Sequence, residues 1–129
     1  MTNKNSQTQS KAIVNLHSRT LTLNLSHSDF LTFYALLADA NNRKPNIHDF
    51  FDMLLHNIMV DVYQLFHKEG AEEKSGYTIQ LAPKECMAFW LYWTDHPFAS
   101  TTLAGKMLDQ VNNIILIMFT NSGSTECYL

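Results

Sequence analysis

The side chains able to do chemistry are few, and His48, Asp52 and His56 come first. On a helix they fall at i, i+4 and i+8 and share one face, with Asp49 alongside. Two imidazoles and a carboxylate suit a first-row metal. The two histidines would stand about 12 Å apart along the axis, too far for one ion to be held by both. The spacing therefore predicts a solvated polar stripe opposite an apolar one, and no metal site. Cys86 adjoins Met87 in an aromatic segment, with His96 ten residues on. A nucleophilic thiol needs a base in contact and a group to orient it; a buried, inert thiol is the simpler expectation. Asp61, in an apolar stretch, reads as a rim residue. The four glycines build no phosphate-binding loop. No catalytic residue and no cofactor is expected, and the chain reads as a non-enzyme.

The elements that would position these residues follow from periodicity. Residues 1–18 are polar and read as a flexible arm, too poor in apolar side chains to offset ordering entropy. Thr20 to Leu25 alternates polar and apolar, which predicts a half-buried strand with Leu21, Leu23 and Leu25 on one face. Ser26 to Asp29 offers helix caps before an apolar segment, Phe30 to Ala40. Asn41 to Pro45 is a loop. Asn46 can cap a second helix from Ile47 to about Lys68. Its stripe of Phe50, Phe51, Leu54, Leu55, Ile58, Val62 and Leu65 predicts extensive burial. A charged linker, residues 69–76, precedes a second alternating strand, Tyr77 to Leu81. Pro83 then opens a helix through Trp93, Pro97 breaks it, and Ser100, Thr101 or Thr102 can cap a last helix.

The chain has 129 residues, one domain's worth, and charged residues make up only 16% of it. That shortage excludes a disordered charged tail and favours association with a partner. The net charge of −3 is segregated. Lys4, Lys11 and Arg19 give residues 1–20 a charge of +3 with no acid, so the body carries −6. The first ten residues carry no leader-like apolar segment, and the longest apolar run, Ile114 to Phe119, is far too short to span a bilayer. With only two cysteines in unrelated settings, a cytoplasmic location is expected.

The pattern repeats. A shift of 56 lays Leu21–Leu37 over Tyr77–Trp93, with Thr22 on Thr78, Leu25 on Leu81 and Phe33 on Phe89. A shift of 53 then lays Phe50 on Leu103, Leu55 on Leu108, Ile58 on Val111 and Phe66 on Phe119. One strand with two helices cannot satisfy its own edges, whereas two such units can pair their strands. The expected fold is mainly α with a small two-stranded antiparallel ribbon, a pseudo-twofold β-α-α-β-α-α domain over residues 19–129. Its repeats would span 19–68 and 77–121.

A short alternating strand, a capped helix, a loop and a long buried helix resemble the ribbon-helix-helix unit, here as two units in one chain. The resemblance covers Arg19 to Phe66 and, more loosely, Tyr77 to Phe119. It implies a DNA-binding transcription regulator whose ribbon enters the major groove. By position it implies base reading by Thr20, Thr22, Asn24, Thr78 and Gln80. It likewise implies phosphate contacts from Asn46, Ser100, Thr101 and Thr102, with Lys11 and Arg19 of the basic arm adding to them.

The outward ribbon positions lack the Lys or Arg that commonly reads guanine, and the body is acidic. These features point to an alternative: a protein-interaction or scaffold domain of the same fold. Its surface would use the aromatic segment Phe89 to Trp93, which the first repeat lacks, and the last helix. Trp90, Trp93, Ile114 and Phe119 would meet a protein partner or a second copy.

Overall fold

A computed structural model describes residues 9–95, 102–120 and 125–128. In chain order these form β1 (Lys11–Asn15), β2 (Thr20–Ser26), α1 (His27–Asn42), α2 (Phe50–Glu69), β3 (Gly76–Leu81), α3 (Pro83–Asp95), α4 (Leu103–Thr120) and β4 (Thr125–Tyr128). The strands make one antiparallel sheet in the order β3-β2-β1-β4. Helices pack on one of its faces. The molecule is mainly helical, but the expected two-stranded ribbon is replaced by a wider sheet.

The reason lies in residues 11–16, which are not arm. Ala12, Val14 and Leu16 alternate toward the core and are buried. Fully burying a valine or leucine is worth about 1.5–3 kcal/mol each, enough to order a short strand that is already hydrogen-bonded. β1 pairs with β2 from Lys11 opposite Asn24 to Asn15 opposite Thr20, and so takes the edge of β2 that a bare ribbon would leave open. Between them Asn15 Oδ1 accepts hydrogen bonds from the His17 and Ser18 amides. Arg19 closes the turn at φ 57°, a conformation rare outside glycine. The Arg19 guanidinium reaches the Met118 carbonyl in the last turn of α4, where a cation also complements the helix dipole.

β2 and β3 pair antiparallel, Leu21 opposite Leu81 and Leu25 opposite Tyr77. Their inward side chains, with Ala12 and Val14, form the floor of a single core. Phe30, Phe33, Phe66, Phe89, Met59 and Met118 fill it from the helices. Tyr77 stacks on Phe30 at 3.9 Å between ring centroids, a contact worth about 0.5–1.5 kcal/mol beyond area. The free edge of β3 is guarded: the Thr78 N–H donates to Glu69 Oε2 at 3.1 Å. The same carboxylate holds Lys74 Nζ.

Helix boundaries refine the repeat. Ser26 caps α1 through the Asp29 amide, and Thr102 Oγ1 caps α4 by accepting from Gly105 N–H. The second helix begins at Phe50 rather than Ile47, with Asp49, not Asn46, as its cap. A shift of 53 between the long helices sets buried Phe66 on exposed Phe119. A shift of 52 instead lays Leu55, Met59, Val62 and Phe66 on Met107, Val111, Ile114 and Met118, and all eight are buried. The first helices keep the shift of 56: Phe30, Phe33, Leu36 and Leu37 fall on Cys86, Phe89, Tyr92 and Trp93, again all buried.

The stripe on α2 is narrower than its composition predicts. Leu55, Met59, Val62 and Phe66 face the core, while Phe50 (81% exposed), Phe51 and Leu54 face solvent. The apolar side chains of the first turns of α2 thus lie outside the buried core. Among the described residues no helix is long and apolar enough to cross a membrane.

Candidate interaction surfaces

Of the polar stripe His48, Asp52 and His56, Asp52 is drawn into an ion pair, and His56 Nδ1 is buried without a hydrogen-bond partner among the described residues. Asp52 forms an ion pair with Arg43 at 3.0 Å and accepts from the Asn46 N–H. Arg43 also donates to the Tyr92 hydroxyl, so this carboxylate is part of a clamp joining α1, α2 and α3. Arg43 is held above its usual pKa: burial acts against the cation, but Asp52 and Tyr92 outweigh it. His48 is exposed, and no group of three potential ligands converges among the described residues. The Cys86 thiol is buried and its pKa is pushed up to about 12, by burial first and by neighbouring Glu85 second. A thiol held there does not supply a nucleophile at neutral pH.

Two surfaces remain. The first is the outer face of the sheet. Thr20, Thr22 and Asn24 alternate with the buried leucines of β2, and Thr78 and Gln80 do the same on β3. The register sets Lys11, Asn24 and Thr78 in one row and Ile13, Thr22 and Gln80 in the next. Thr78 donates to Asn24 Oδ1. These outward residues do lie together, with Lys11 beside them as a strand residue rather than part of an arm. Of the phosphate-contact set, Lys11 lies with them, and Arg19, Asn46 and Thr102 are engaged elsewhere. Arg19 is engaged at the end of α4, Asn46 makes a local turn with the His48 amide, and Thr102 caps α4. Ser100 and Thr101 lie outside the described residues.

The second surface is a groove of about 360 Å³ between α3 and α4, lined by Met87, Trp90, Leu91, Ile115, Leu116 and Phe119. Every lining side chain is apolar. Met87 is 51% exposed and Leu116 50% exposed, well beyond what a filled core leaves open. Of the four residues expected on such a surface, Trp90 and Phe119 line it. Trp93 and Ile114 do not: both are buried in the core.

The repeat makes this groove informative. Its six positions correspond, through the shifts of 56 and 52, to Leu31, Tyr34, Ala35, Tyr63, Gln64 and His67. There Tyr34 Oη meets His67 Nδ1, and the Tyr34, Tyr63 and His67 rings lie within 6.1 Å of one another. Burial, then the hydrogen bond with Tyr63, raises the Tyr34 pKa above its usual value. One repeat thus finishes this surface with hydrogen-bonding rings compatible with water. The other finishes it with hydrocarbon. The sequence contained the signal as the Trp90 and Phe119 pair without counterparts, but only the helix phase sorted Trp90 from Trp93.

No family model, no curated protein and no solved structure matches the chain.

Proposed function

We propose that the chain is a protein-interaction domain that works through the apolar groove between α3 and α4. The carrying observation is the contrast between the repeats: the fold accommodates Tyr34 and His67 where the second repeat has Trp90 and Phe119, so nothing in the shared packing demands an all-hydrocarbon finish at those two places. An uncovered apolar surface of this kind is costly in water and marks a contact face. Trp and Phe framed by flexible Met and Leu are the side chains that anchor interfaces.

A second reading assigns nucleic acid to the outer sheet face, and the common outward direction of Thr20, Thr22, Asn24, Thr78 and Gln80 favours it. Two physical points weigh against it. Four strands at about 4.8 Å spacing span about 14 Å between outer axes, more than the roughly 12 Å width of the major groove. Lys11 is also the one cation among the outward-facing side chains of β1, β2 and β3, whereas phosphate neutralisation supplies most DNA affinity.

Native size in extracts of cells making the full chain separates the two. The groove reading expects an assembly larger than the 14.8 kDa chain that Leu116→Asp releases and Thr22→Asp leaves intact. An assembly released by Thr22→Asp, or collapsed by nuclease, would move the function to the sheet face.

A further inference from the structure

The groove has a polarity that specifies what covers it. On α3, Lys84, Met87, Leu91 and Asp95 follow at spacings of three, four and four residues. Lys84, Leu91 and Asp95 fall within about 40° of one another around the axis. The apolar residues are therefore bracketed by a cation at the first turn and an anion at the last, about 16 Å apart. Both charged side chains are exposed, and neither has an ion-pair partner among the described residues. On the other wall, α4 carries no ionisable side chain from Gln110 to Thr120. Its charges, Lys106 and Asp109, lie in its first half.

A surface that is positive at one end, negative at the other and apolar between is complementary to itself turned end over end. A two-fold contact repeats each pairing twice, since the same patch serves both subunits. We infer, resting on the groove being the working surface, that its occupant is a second copy of this chain. The two α3 helices run antiparallel across the dyad, Lys84 opposite Asp95 of the other copy at both ends. Met87, Trp90, Leu91, Leu116 and Phe119 close the apolar centre. Parallel apposition would set Lys84 near Lys84 and Asp95 near Asp95, with repulsion at both ends, so the charges also fix the direction. The Tyr34, Tyr63 and His67 face of the first repeat lacks this character. Association therefore closes at two subunits rather than propagating through both repeats.

Sedimentation of the full chain tests this. Wild type forms a dimer within concentrations up to about 0.1 mM. Leu116→Asp renders it monomeric with an unchanged circular dichroism spectrum. Lys84→Glu and Asp95→Lys each weaken the dimer about tenfold, because two attractive contacts become repulsive. The double variant Lys84→Glu/Asp95→Lys regains wild-type affinity. Met87→Glu, on the same wall as Lys84, also abolishes the dimer and covers the case in which Leu116→Asp fails to fold. A wild type that stays monomeric overturns the self-pairing while the native-size assay still judges the groove itself. A dimer indifferent to Leu116→Asp and Met87→Glu overturns it too. A double variant no tighter than the singles overturns the antiparallel arrangement.

Discussion

Tyr34 Oη lies 2.5 Å from His67 Nδ1, and the two occupy in the first repeat the places that Trp90 and Phe119 occupy in the second. A position that accepts either pair is not dictated by the core. Exchanging one for the other should change what the surface does and leave the fold alone. The variant Trp90→Tyr/Phe119→His is expected to keep the helical spectrum and a melting temperature close to wild type. It should also lose the apolar groove's binding of a hydrophobic dye. A large fall in melting temperature would show that the groove residues serve packing instead.

Gly70 ends α2 against the Phe30 ring. A Cβ there would stand 2.9 Å from Phe30 Cζ, and that ring is fixed between Phe66 and Tyr77. Gly70→Ala is expected to cost about 1–3 kcal/mol by overpacking. Paired with Phe30→Leu, the two should be non-additive by about 1 kcal/mol. Denaturant unfolding of the two singles and the double checks this; additive losses would contradict the contact.

Cys86 should be silent in the folded protein. With its pKa pushed up to about 12, the thiolate fraction at pH 8 is about one in ten thousand. In a Cys127→Ser background a disulfide reagent at pH 8 should react only after denaturant is added. Fast native labelling would contradict the burial of this helix face.

Glu69 sets an acid limb. Burial acts to raise its pKa, but the Thr78 N–H and the Lys74 ammonium outweigh that and hold it below the ordinary carboxylate value of 4.5. A depressed folded-state pKa contributes stability that is full above the unfolded value. That contribution is lost as pH falls from about 4.5 through the folded value. Glu69→Gln should be less stable near neutrality and show a shallower loss of stability below pH 4.5. Equal slopes for both proteins would show that Glu69 does not guard the β3 edge.

β1 is expected to be indispensable. Ala12 and Val14 are buried and β1 joins β2 to β4. Removing residues 1–15 should abolish cooperative melting followed by circular dichroism. A truncated chain that melts like the whole one would restore the reading of these residues as an arm.

What the sequence disclosed depended on how locally each signal was written. Leu21, Leu23 and Leu25 alternate without interruption, and β2 and its partner β3 were legible from them alone. Lys11 to Leu16 alternates in burial but not in residue type: the outward Ile13 is apolar and breaks the pattern, and the polar residues before it made the segment read as an arm. The second helix was legible as a helix, yet Phe50, Phe51 and Leu54 are apolar without being buried. Which turns of a helix meet the core is a tertiary fact that no periodicity carries. The surface was half legible: the unmatched aromatics announced an interface, but separating Trp90 and Phe119 from Trp93 and Ile114 needed the rotation of each helix. Lys84 and Asp95 became informative only once both flanked the same groove.

The most direct test of the groove as the working surface is a photo-crosslinking side chain installed at Leu116 and, separately, at Thr78 in the full chain made in cells. The groove account predicts strong protein adducts from position 116, chiefly at twice the chain mass, and none above background from position 78. Adducts arising from position 78 alone, to protein or to DNA, would contradict it.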